Sequence, residues 1–374
     1  MPNSVRYYES TMSGAPSLSG TAGALISVLD ACLVDGFGSV TVDSLVVASN
    51  VVTATVSAGH QFAMVGNTGP VIRIAGASPS GLNGDWRVTV TSSTVFTFAT
   101  SGIGDQTATG TISAKRAPAG FSKAFSGTNK AAYRADDVTG TRLYCRIDDS
   151  TTTYARIRGY EAMDNVDTVT SGYGVFPTDA QISGGGYVYK SSAASAATRA
   201  WTLFSDGRII YFFCDAATGA QYVGGFLFGD IDSYQSPDAY NSLLLYSTTA
   251  SGWSGLYAFN STFGCVLARS YTQLGGSILS SRYSHGKAAQ LGSGYQAYPA
   301  PVDNSVHVWP VECWESTTLA RGMMPGLWNP LHNASLSQGQ VVEDFPQLPG
   351  RTLVAQIIYN SGQQAMFDLT GPWR

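Results

Sequence analysis

Apolar and polar residues alternate in short runs along most of this chain, and only one stretch changes to a helical period. Between Thr21 and Val34, Leu25, Val28, Leu29, Cys32 and Leu33 recur at spacings of three and four, which predicts one amphipathic helix stopped by Gly36. Ser19 or Thr21 is the expected cap. Asp30 and Asp35 stand at the wrong end of the helix dipole, so packing has to hold this helix down. From Ser39 to Ala114 the pattern becomes β-branched runs broken by Gly, Asn, Ser and Pro about every ten residues. Strands are expected near Val40–Val47, Val51–Val56, Val71–Ile74, Trp86–Val90, Val95–Ala99 and Thr109–Ser113, with turns at Ser49-Asn50 and Asn83-Gly84. This is the pattern of a small immunoglobulin-like antiparallel sandwich over residues 39–115, without the cysteine pair that pins antibody domains. Lys115 to Gly120 reads as a hinge or linker.

Beyond Phe121 the runs lengthen and become aromatic. Leu143, Cys145 and Ile147 alternate with Arg142, Tyr144 and Arg146, and Ala155 and Ile157 with Tyr154, Arg156 and Arg158, so a hairpin with one buried face is expected. Trp201–Phe204 and Ile209–Phe213, joined through Ser205-Asp206-Gly207-Arg208, predict a second hairpin with an Asp-Gly turn of type I′. Both faces of these strands are apolar, which requires cover on each side. Further strands are expected near Tyr222–Phe228, Ser242–Tyr246, Gly264–Arg269, Val306–Val311 and Thr352–Tyr359. Pro299, Pro301, Pro325, Pro330, Pro346 and Pro349 make much of Tyr295–Gly350 irregular in this reading. The fold class is therefore mostly β: an N-terminal segment with one helix (1–38), the small sandwich (39–115), and a larger β-sandwich-like domain with irregular C-terminal loops (121–374).

Composition sharpens this picture in one respect. Asp, Glu, Lys and Arg make up only 12% of residues, about half the usual ~25%, and Lys and Glu number five each, so good surface-helix formers are scarce. The formal charge of −4 gives no footprint for a polyanion, and no nucleic acid is expected as partner. The first ten residues lack the apolar core of a signal peptide and no apolar run approaches a membrane span, so folding in a reducing cytoplasm without membrane insertion is expected. The cysteines Cys32, Cys145, Cys214, Cys265 and Cys313 are widely spaced and form no C-x-x-C pair, which predicts buried thiols.

Candidate chemistry is sparse. No two of His60, His285, His307 and His332 stand at a metal-ligand spacing, and Gly252-Trp253-Ser254-Gly255-Leu256 falls one glycine short of a nucleophile elbow. Asp136-Asp137, Asp148-Asp149 and Asp230-Ile231-Asp232 are explained most cheaply as turn and cap residues. No catalytic, metal or cofactor residue is therefore assigned, and no enzyme activity is expected. One group has two readings: Arg142, Arg146, Arg156 and Arg158 share the solvent-facing side of their hairpin, either a basic stripe suited to a phosphate or a partner's carboxylate or a solvated face lying beside nearby Asp.

Several longer strings carry a resemblance. Met12-Ser13-Gly14-Ala15-Pro16, Asp35-Gly36-Phe37-Gly38, Phe125 to Arg134, Gly159-Tyr160-Glu161-Ala162-Met163, Arg321 to Trp328 with His332, and the ending Asp368 to Arg374 resemble an uncharacterised family of virion structural proteins of tailed bacteriophages. Val51–Ile112 is similar to immunoglobulin-like modules inserted in phage tail and surface proteins. The resemblance implies a structural component of the virion, of the tail or baseplate, that assembles as a symmetric homo-oligomer with other virion proteins. It supplies no catalytic or ligand-binding residues. The alternatives are a tail adhesin binding host-surface glycan through exposed Tyr and Trp, a virion-borne polysaccharide hydrolase, and a head or collar decoration protein.

Overall fold

The computed structural model describes residues 4–167, 174–217, 222, 224–251, 264–284, 304–316, 319–331, 336–343, 345, 347–359 and 363–374. The molecule is mostly β, built from several antiparallel sheets and one helix of 12 residues. His285, His332 and Gly252–Leu256 lie outside the described residues.

The larger part is three sheets stacked face to face. The middle one has seven strands in the order Arg6–Glu9, Trp201–Ser205, Ile209–Cys214, Gly224–Asp230, Ser242–Leu245, Cys265–Leu267, Ile278–Leu279. Its central strands are buried at every position, as their unbroken apolar sequence requires. On one face Trp201, Leu203, Ile210, Phe212 and Phe226 meet Tyr133, Cys145, Ile147, Ala155 and Ile157 of a second sheet, together with Leu25, Val28, Leu29 and Cys32 of the helix. On the other face Phe204, Tyr211, Phe213 and Leu227 meet Val311, Met324, Leu327 and Phe367 of a third. Burying each such side chain contributes ~1.5–3 kcal/mol, so two full interfaces hold the stack together.

The helix begins at Ala24, not at Thr21. Ala24–Leu29 is α-helical and runs on into a wider π turn over Asp30–Asp35, with Gly36 at φ 75° ending it. Gly23 occupies the cap position with φ 80° and has no side chain to offer. Neither Ser19 nor Thr21 caps it. Asp149, far away in sequence, accepts the Leu25 N–H at 2.8 Å, and its own carbonyl accepts from Gly23 at 3.0 Å. Lys190 donates to the same carboxylate and, at 2.6 Å, to the Thr21 carbonyl; both Lys190 and Asp149 are fully buried.

The small sandwich packs a five-stranded on a four-stranded sheet around Leu45, Val52, Ile72, Ile74, Phe96 and Ala114. The single strand expected over Val40–Val47 is two. Phe37–Thr41 lies in one sheet and Ser44–Ala48 in the other, because the chain crosses between them at Val42-Asp43, where Asp43 accepts the Ser57 N–H at 2.6 Å. Lys115–Gly120 is not a slack linker. Ser113–Arg116 is a strand, Ala117 and Ala119 are buried, and Ala119 and Gly120 donate to the helix carbonyls of Cys32 and Leu33 at 2.8 and 3.2 Å.

Two other expectations change. Only Gly207 of the Asp206-Gly207 turn has positive φ, so it is not type I′; Asp206 instead accepts the N–H groups of Arg208 and Ile209 at 2.9 and 3.1 Å. Within Tyr295–Gly350, Val308–Ser316 and Leu319–Pro330 are long paired strands of the third sheet. Their prolines fall where the ladder is interrupted: the register shifts after Pro310, and Pro325 sits beside Gly326, at φ 69°, while its carbonyl accepts the Tyr211 hydroxyl at 2.8 Å.

Candidate functional site

Three arginines of the predicted stripe, Arg146, Arg156 and Arg158, share a face of one sheet. Arg146 and Arg158 are cross-strand partners and Arg156 stands opposite Asp148. Arg142 lies just outside the strand with φ 56°, and its Nε donates to the Ala135 carbonyl at 3.1 Å. Each of the other three also has acceptors within the chain. Arg146 reaches the Val166 carbonyl at 2.6 Å and Asp148 at 3.2 Å. Arg156 donates to the Gly184 carbonyl at 3.1 Å and lies 3.8 Å from the Tyr187 ring centre, and Arg158 pairs with Asp179. Arg146 and Arg158 are paired with carboxylates, whereas Arg142 and Arg156 have backbone carbonyls as acceptors.

The acidic pairs take turn and cap roles. Asp137 accepts from Thr139 and Arg208, Asp148 from Ser150, and Asp230 from Thr141 and Ser242. All five cysteines are buried, and burial pushes the thiols of Cys32, Cys145 and Cys214 up. His60 is buried in the small sandwich, stacked on Phe62 and edge-on to Phe96, with its Nδ1 accepting the Phe62 N–H at 3.0 Å. Burial holds its imidazole below the ordinary value. Among the described residues no group of three or more His, Cys, Asp or Glu stands close enough to hold a metal ion, and no helix is long and apolar enough to cross a membrane.

A better-formed site lies where the small sandwich meets the middle sheet. A cavity of about 380 Å³ runs between the edge strand Arg6–Glu9 and the sandwich segment from Gln61 to Val71. Among the described residues the strand pairs on one side only, with Trp201–Ser205. Ser10 N–H donates to the Trp201 carbonyl at 3.0 Å, and the antiparallel alternation then makes Tyr8 and Arg6 the bonded positions. Tyr7 and Glu9 therefore turn their backbone N–H and C=O toward the strand's open edge. Val5, Met12, Met64, Val65 and Leu369 supply apolar lining.

Three arginines enter this cavity. Arg6 donates to Asp85 at 2.9 Å and to the Ser4 carbonyl at 2.6 Å; Asp85 is shared with Arg73. Although burial pushes the Asp85 carboxyl up, the two guanidinium groups outweigh it and hold it below its usual value. Arg87 has only the carbonyls of Gly69 and Val5, at 2.8 and 3.2 Å. Arg116 donates to the Gln61 carbonyl at 3.0 Å and lies over the rings of Phe37 and Phe62, 5.8 and 5.2 Å from their centres. Neither Arg87 nor Arg116 has a carboxylate partner among the described residues. Burial lowers the Arg87 guanidinium and pushes Arg116 down to about 10. Arg6 and Arg116 are 6% and 5% exposed, and among the described residues Arg6 Nε and Arg116 Nη1 have no hydrogen-bond partner. The cavity's own acid, Glu9, accepts from Tyr7 and Thr11, both at 2.7 Å.

Sequence reading passed over these arginines because they lie far apart in the chain. One local signal was present: in the run Ile112, Ala114, Arg116, the strand's period of two puts the arginine on the same face as two core residues. The chain matches no protein-family model and no curated protein.

Proposed function

We propose that this chain is a structural component of a tailed-bacteriophage virion, in the tail or baseplate, that assembles as a symmetric homo-oligomer. The observation that carries the assembly half of this reading is a set of exposed apolar side chains on segments that Arg321 ties together. Leu274 and Tyr234 are 74% and 51% exposed, and Leu319 is also exposed. These side chains hang from three segments tied together by one buried guanidinium. Arg321 donates to Asp238 at 2.7 and 2.9 Å, to the Arg269 carbonyl at 3.3 Å and to Glu315. Tyr234 N–H donates in turn to the Arg321 carbonyl at 2.9 Å. Apolar side chains held in water on an ordered frame are what a neighbouring subunit covers. The virion half rests on the sequence strings quoted above, from Met12 to the Trp373-Arg374 ending.

Light scattering on the purified full chain tests the assembly. A defined oligomer is expected, reduced to monomer by Leu274→Asp with Leu319→Asp. A monomer at high concentration overturns the assembly, and absence of the chain from the protein bands of washed phage particles overturns the virion assignment.

A further inference from the structure

We infer that the cavity between the edge strand Arg6–Glu9 and the small sandwich is a binding site for a small organic acid, with Arg116 and Arg87 gripping its carboxylate. The first ground is unpaired charge. A buried guanidinium is normally paired with a carboxylate. Arg87 and Arg116 line this cavity with backbone carbonyls as acceptors and no carboxylate partner among the described residues. A carboxylate offers two acceptor oxygens and suits the guanidinium fork.

The charges at the cavity set the ligand's sign. Arg6, Arg87 and Arg116 face Glu9 inside it and Asp85 at its margin, and Asp85 is shared with Arg73. The surplus is positive, which an anion balances. Glu9 disfavours a second negative charge, so a carboxylate fits better than a phosphate dianion. The remaining lining gives the ligand's body its place. Met64, Val65 and Leu369 offer apolar contact, and the outward N–H and C=O of Tyr7 offer one polar pair along the strand edge. The inference is independent of the virion assignment.

Calorimetric titration of the full chain with hexanoate and, separately, with inorganic phosphate tests it. Saturable binding of hexanoate is expected, with phosphate at least about tenfold weaker, since one charge-assisted contact is worth about that factor. Arg116→Gln is expected to weaken hexanoate about tenfold or more, and Glu9→Gln to tighten it by removing the repelling charge. Arg134→Gln, outside the cavity's lining, leaves it unchanged. Glu9→Gln keeps the test decisive should Arg116→Gln fail to fold. No saturable hexanoate binding, tighter binding of phosphate, or an affinity insensitive to both Arg116→Gln and Glu9→Gln overturns the inference.

Discussion

Arg321 and Arg116 are both withdrawn from water, yet the molecule treats them in opposite ways. Arg321, in the third sheet, is fully enclosed and surrounded by Asp238, Glu315 and a backbone carbonyl. Those carboxylates outweigh burial and hold its guanidinium above the ordinary value. Arg116, at the edge of the small sandwich, has one carbonyl and two aromatic faces, and burial prevails. A buried ion that is fully paired belongs to the architecture, because removing either partner strands the other. One that is half paired is an opening for something else.

This contrast can be broken by substitution. The largest effect is expected for Arg321→Met, which strands Asp238 and Glu315: about 3–5 kcal/mol lost in urea unfolding. If the loss stays below ~1 kcal/mol, the hub is not structural. Lys190→Met is next, at about 3 kcal/mol, because it leaves Asp149 buried and burial already pushes that carboxyl up. Arg116→Met should change stability by less than ~1 kcal/mol, since no carboxylate is left behind. A loss as large as that of Arg321→Met would make the two arginines equivalent and erase the distinction.

Smaller still is a pH effect from His60. Its folded imidazole is held below the ordinary 6.5, so the unfolded chain binds the proton first. Stability is therefore unaffected above that value and declines as pH falls below it, toward the lowered folded value. Unfolding midpoints measured between pH 7 and 5 should show this decline, and His60→Phe should flatten it. At the bottom of the scale, Asp179→Asn should leave the midpoint unmoved, because Asp179 is exposed and its contact with Arg158 is open to water.

Much of the fold was legible because its causes are local. The alternation through Cys145, Ile147, Ala155 and Ile157 reports one buried face, and the unbroken apolar runs around Phe204 and Phe212 report two. The helix and its Gly36 stop were readable from spacing alone. What stayed hidden has distant causes. Asp149 caps the helix from 124 residues away, which no capping rule of neighbours can find. Leu319–Pro330 was masked by Gly322, Pro325 and Gly326, residues that a bulged strand accommodates but that read as loop. The cavity arginines came from positions 6, 87 and 116, and nothing near any of them announces the other two.

The chain enters the small sandwich at Phe37 and leaves it at Arg116, and these two residues are cross-strand neighbours. Their Cα atoms are therefore only about 5 Å apart. Gly36 and Ala117 can be spliced across that gap, which makes the sandwich a cassette that recombination can trade while the stacked sheets stay intact. The cassette brings Arg87 and Arg116, and the host scaffold keeps Arg6 and Glu9. Each exchange would thus rewrite half of that cavity's lining in one genetic event.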